Sequence, residues 1–194
     1  MVQEPLTTLA DDVAAAKRVL ELQKGPTILV GHSYGGVVVT EAGNAPNVVG
    51  LVYVAAFIPD KGESAITLLG QAPPANNDMR PTKDGDFLFL DPAAFPADFA
   101  GDVPPAEAQF MARSQPMLGK AAGGAPVSAA AWRQKKSWAV VATHDHNINP
   151  DLERKMAKRA GAETIEVAGS HAVYMSKPQE VARLIERAAK ASGR

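Results

Sequence analysis

The chain contains no cysteine, which removes disulfides and thiolate metal sites together. No apolar run approaches the roughly 18 to 20 residues a bilayer-spanning helix needs. There are 20 Lys and Arg against 21 Asp and Glu, never gathered into a run, and the net charge is -1. With a pI near 6.4, no basic face is left to neutralise phosphates, which argues against nucleic acid or an anionic membrane as partner. Met1 to Pro5 lack the basic start and apolar stretch of a leader peptide. The reading is therefore a cytoplasmic protein acting on a small molecule, with no cofactor implied.

What is present is ordinary globular composition, 194 residues with 46% apolar and 21% charged, enough for one domain with a sizeable core. The chain is organised about one stretch. An apolar run, Thr27 to Val30, meets Gly31-His32-Ser33-Tyr34-Gly35-Gly36 and then Val37 to Ala42. That order predicts strand, sharp turn, helix. A serine hydroxyl must be held out of the sheet in a strained turn to act as a nucleophile. Glycine on both sides tolerates the close approach of strand and helix that such a turn forces, and Gly-x-Ser-x-Gly meets that need.

Regular pattern extends to either side. Thr8 to Asp11 reads as a capped helix start, with Leu9, Val13, Ala16 and Leu20 on one face and Gly25-Pro26 as the stop. Val48 to Phe57 is a nearly continuous apolar run, the mark of a strand covered on both faces. From about residue 58 to 134 the pattern dissolves into Pro, Gly and Ala with scattered aromatics. Short helices are expected there at 64–69, 93–99 and 105–114, and the segment reads as a cap or lid inserted into a core of residues 1–57 and 135–194. Ser137 to Thr143 and Glu163 to Gly169 are the next strands, with a helix from Asp151 to Ala160 between them and a last helix after Pro178. Strands alternating with helices imply βαβ units and a doubly wound, mostly parallel sheet, whose ligands sit at the carboxyl ends of the strands.

Three polar residues stand just past three such ends: Ser33, Asp145 and His171. Imidazole suits the base a serine needs near neutral pH, and a carboxylate on its far nitrogen fixes the tautomer. Ser33 is thus the expected nucleophile, His171 the base, Asp145 the orienting acid and the Tyr34 backbone amide an oxyanion donor. Asp151 is the rival acid, better explained as a charge at a helix N-terminus. His144-Asp145-His146 has too little ligand pattern to predict a metal. On the substrate side the candidates are His32, packing beneath the elbow, Phe57 at the end of the second strand, and Phe110 and Trp132 from the aromatic-bearing segment.

The elbow, Leu51 to Phe57, Asp145 with Ile148 and Pro150, and Gly169-Ser170-His171 followed by Ser176-Lys177-Pro178 together resemble the α/β-hydrolase superfamily, in its small esterase and hydroxynitrile-lyase-like branch. The resemblance implies the same trio of Ser33, Asp145 and His171 and a cap over an apolar pocket. In the lyases of that branch a lysine follows the histidine. Ala172 stands here, which favours hydrolysis of small apolar esters. The resemblance also implies an earlier strand with a His-Gly turn supplying a second oxyanion amide, and no His-Gly pair stands upstream of Ser33. The expectation is an N-terminally shortened form of the fold in which the elbow strand is an apolar edge, open to pairing in a homodimer. The alternative function is a ligand-binding or catalytically weakened homologue.

Overall fold

The structure, a computed structural model, describes residues 2–76 and 78–192. Helix α1 (Leu9–Glu21) starts where Thr8 leaves extended backbone and its side chain accepts the Asp11 amide. The Asp11 carboxylate turns to the Thr7 and Thr8 hydroxyls, at 3.0 and 2.7 Å. Strand β1 (Thr27–Ser33), helix α2 (Gly35–Ala42) and strand β2 (Val48–Ala56) follow.

The middle of the chain carries α3 (Ala65–Leu69), β3 (Met79–Pro81), β4 (Phe87–Leu90), α4 (Phe95–Asp98), α5 (Pro105–Ser114), β5 (Leu118–Gly119), α6 (Lys120–Gly124) and a 3-10 turn at Ala131–Arg133. Regular alternation returns with β6 (Lys136–Ala142), α7 (Pro150–Arg159), β7 (Glu163–Val167), α8 (Val173–Ser176) and α9 (Pro178–Ser192).

Strands β1, β2, β6 and β7 pair in that order, every pair parallel. Successive side chains of a strand point to opposite faces, and β2 divides accordingly. Leu51 and Tyr53 join α1, α2 and α7 in one core, while Val52 and Val54 join Val181, Leu184 and Ala188 of α9 in the other. A strand buried on both sides has no polar face to offer, which is why β2 reads as an unbroken apolar run. This is the doubly wound parallel sheet expected.

The middle segment holds the three short helices at or within the expected positions. It also holds a three-stranded antiparallel sheet, β3-β4-β5, that the sequence pattern did not reveal. Phe95, Ala100, Val103, Ala108 and Ala112 form a small core of their own that closes on Ala172, next to His171. Among the described residues β1 pairs with β2 alone, and Val30 on it is 44% exposed. No helix among the described residues is long and apolar enough to cross a membrane.

Candidate active site

Ser33 has φ +53°, a left-handed conformation that costs a non-glycine residue energy and that persists only where its surroundings impose it. Those surroundings are visible. The β1–β2 register slips between His32 and Ser33, so that Ser33 faces Ala56, and Ala55 opposite is itself at φ +43°. Such a bulge re-aims the end of a strand. A Cβ on Gly31 would lie 2.5 Å from the Gly35 carbonyl oxygen, and one on Gly36 would lie 2.1 Å from that of Phe57. A Cβ on Gly35 would meet nothing within 4 Å. The close approach of helix to sheet therefore rests on Gly31 and Gly36, not on the second glycine of the Gly-x-Ser-x-Gly pattern.

His171 sits just past β7 and Asp145 just past β6, and each is almost wholly buried. The Asp145 Oδ2 lies 2.5 Å from His171 Nδ1. Its Oδ1 accepts the amides of Asn147 and Ile148 at 2.7 and 2.9 Å. Burial alone would raise the Asp145 pKa, but His171 and the two amides outweigh it and hold the carboxyl below its ordinary value. Asp151 is the surface charge expected of it, paired with Arg154 at 2.7 Å.

His32 opens on the same cavity as Ser33 and His171. Its Nε2–H donates to the His171 carbonyl at 2.9 Å, tying the elbow to the loop that carries the base. Burial first, and His171 second, push its pKa down to about 3, so the ring stays neutral. Phe99 stands edge-on to His171 with ring centroids 4.7 Å apart, and its carbonyl takes the Ala172 amide at 2.9 Å.

The cavity measures about 840 Å³, within the range of small-molecule sites. Phe57 lines it, and so do Phe89, Phe95, Phe99, Met111 and Tyr174. Phe110 and Trp132 do not. Phe110 points outward from α5 at 70% exposure, and Met111 beside it is the residue that turns inward. Trp132 is buried elsewhere, its Nε1–H donating to the Pro59 carbonyl at 2.8 Å and its ring lying under Arg133 and Arg159. Phe95 and Phe99, four residues apart and stacked with ring centroids 4.6 Å apart, carry a spacing that would have marked the wall.

Several polar side chains of the wall are committed to the protein itself. Gln115 bonds both the amide and the carbonyl of Leu90, each at 2.9 Å, and Asn147 donates to the Asp98 carbonyl at 2.8 Å. Glu4 is not so committed. It opens on the cavity, and burial, then the charge of Asp12, raise its carboxyl to about 7. Asp12 behind it accepts the Tyr34 hydroxyl at 2.9 Å and the Leu6 amide at 2.8 Å. Among the described residues no group of three or more His, Asp and Glu is placed to hold a metal ion. His144 is exposed while Asp145 is buried.

A sequence profile of the alpha/beta hydrolase family matches residues 3–184. This chain belongs to that family. Over 49 residues this alpha/beta hydrolase is 51% identical to a carbendazim hydrolyzing esterase of Nocardioides sp. (strain SG-4G), a stretch covering 24% of this chain and 20% of that protein. The chain superposes on a pyrethroid hydrolase from Sphingobium faniae JZ-2 with TM-score 0.78 and 22% identity, covering 95% of this chain and 79% of that one. Polyneuridine aldehyde esterase gives TM-score 0.75 at 15% identity, over 95% and 81%. Tomato methylketone synthase I in complex with 2-tridecanone gives 0.76 at 20%, over 94% and 79%. At such identities the likeness is one of fold. Hydrolase, esterase and synthase share the scaffold, so the reaction must be argued from the site.

Proposed function

We propose that this protein is a serine hydrolase of the carboxylesterase type, cleaving small, largely apolar esters through an acyl-enzyme on Ser33. The Ser33 hydroxyl attacks the ester carbonyl while His171 Nε2 takes its proton. Asp145, on Nδ1, holds the tautomer and stabilises the imidazolium. The Tyr34 amide, at the N-terminus of α2, donates to the oxyanion. The alcohol leaves with the proton from His171. Water, deprotonated by the same ring, then attacks the acyl carbonyl and restores Ser33. Residues 58–134 act as a lid that keeps bulk water from the apolar part of the cavity.

The observation that carries this reading is that His171, bonded to the buried Asp145, opens on the same cavity as a serine in a strained turn. The apolar substrate class follows from a wall of aromatic and aliphatic side chains whose amide groups are already bonded within the protein. The esterase match supports the same chemistry. One observation favours a second reading, a ligand-binding or weakened homologue: Glu4 opens on the same cavity, and once ionised it opposes a developing oxyanion.

The test is labelling with a fluorophosphonate probe together with hydrolysis of p-nitrophenyl esters. Wild type labels; Ser33→Ala does not, and His171→Ala loses on the order of 10⁶ in kcat. Asp145→Asn loses about 10⁴. A folded wild type whose Ser33 stays unlabelled between about pH 6 and 8 ends the hydrolase reading and leaves the binding one.

A further inference from the structure

The Asp145–His171 pair has a buried neighbour that the mechanism above does not use. Glu153, on the first turn of α7, is 3% exposed. Its Oε2 accepts the amide of Ala142, the last residue of β6, at 3.2 Å. Its Oε1 is sealed from solvent with no hydrogen-bond partner, and the neighbouring carboxyl that acts on it is that of Asp145. Two carboxyl groups in contact inside a protein do not both ionise. Asp145 already has three donors, Asn147, Ile148 and His171, so it keeps the charge. Burial first, and the Asp145 charge second, push the Glu153 carboxyl well above its usual range. Arg154, the cation beside it on α7, is turned outward to Asp151 and Glu166.

We propose that Glu153 is a positioning residue for the catalytic relay. Its carboxyl O–H donates to Asp145 and its other oxygen accepts the Ala142 amide, so that α7 and β6 together hold the Asp145 carboxylate at the angle His171 requires. Glutamine can reproduce both bonds, amide to Asp145 and carbonyl to Ala142, whereas methionine fills the space and makes neither. The proposal rests on the serine-hydrolase reading only for its kinetic consequence.

The experiment is the rate of Ser33 labelling from about pH 5 to 9 in wild type, Glu153→Gln and Glu153→Met, with thermal unfolding recorded for each. Glu153→Gln is expected to label within about threefold of wild type with the acid limb of its pH profile unmoved. Folded Glu153→Met is expected to lose about 10- to 100-fold, the cost of a misaimed group. An acid limb displaced by about a unit in Glu153→Gln means that a full charge was removed, and overturns the proposal. A folded methionine variant labelling at the wild-type rate overturns it too. If methionine does not fold, Glu153→Asp, one methylene too short to span both partners, takes its place with the same expected loss. Should wild-type Ser33 fail to label, the hydrolase reading fails separately. NMR titration of the His171 imidazole then decides, unchanged by Gln and displaced by Met or Asp if the proposal holds.

Discussion

Replacing one of two adjacent glycines by alanine should separate what the elbow needs from what its consensus contains. Gly35 and Gly36 both lie in the first turn of α2. A Cβ at Gly36 would stand 2.1 Å from the Phe57 carbonyl oxygen and 3.0 Å from Ala56 Cβ. Ordinary contact begins near 3.4 Å, so the helix must retreat from β2 by about an ångström, and neither obstacle is a flexible side chain. Overpacking of this kind costs about 3 kcal/mol or more. For a chain of this length that lowers Tm by roughly 6–12 °C. At Gly35 the added methyl meets nothing within 4 Å, and alanine in a helix gains about 0.5–1 kcal/mol over glycine, raising Tm by roughly 1–4 °C. Thermal unfolding by circular dichroism reads both. Because the retreat also withdraws the Tyr34 amide from Ser33, labelling should slow in Gly36→Ala. Equal losses of stability in the two variants, or none in Gly36→Ala, would refute the assignment of the close approach to Gly36.

Further outcomes are expected from the same geometry. The Glu4 carboxyl is raised from 4.5 to about 7, so the folded state binds more protons than the unfolded one between those values. Its contribution to stability is therefore fully present below about pH 4.5 and is lost as pH rises to about 7, on the order of 1 kcal/mol after allowance for partial exposure. Urea titrations of Glu4→Gln should lack that part of the slope, and parallel curves for the two proteins would contradict it. Phe110→Ala, at an outward-facing position, should change stability by less than about 0.5 kcal/mol and leave KM alone. Phe99→Ala should raise KM, and the reverse order would move the substrate site off the cavity. Pairing of two copies through the one-sided edge of β1 predicts a dimer in sedimentation at micromolar concentration, whereas a folded monomer there removes the homodimer.

Much of the frame was legible because its causes are local. Strands β2 and β6 announce themselves as apolar runs, since a strand covered on both faces can carry little else. Ser33, Asp145 and His171 were legible as candidates because they stand at or just beyond strand ends, where a parallel sheet presents side chains to a ligand. The middle segment was less legible. Phe87 to Leu90 shows no alternation of polar and apolar residues, and the partners of β4 lie on β3 and on Leu118–Gly119, so pairing could not be read from one stretch. Phe110 and Trp132 stand in the aromatic-bearing segment, yet an aromatic side chain serves equally well on a surface, in a buried stack or in a cavity wall. The burial of Glu153 is not legible for a related reason. In Asp151-Leu152-Glu153-Arg154-Lys155 it reads as one more charge on a solvated helix face.

By itself the sequence determined the alternation of strands and helices on either side of the middle segment and the chemical kind of three candidate residues, because periodicity and glycine placement act over a few neighbours. Tertiary structure alone decided which glycine the helix cannot do without, which aromatics face the cavity, and that a glutamate on α7 is buried on the Ala142 amide at the end of β6. Each of those depends on atoms brought together from distant parts of the chain, and the free energy of such a contact is defined only once the sheet has set the distance between them.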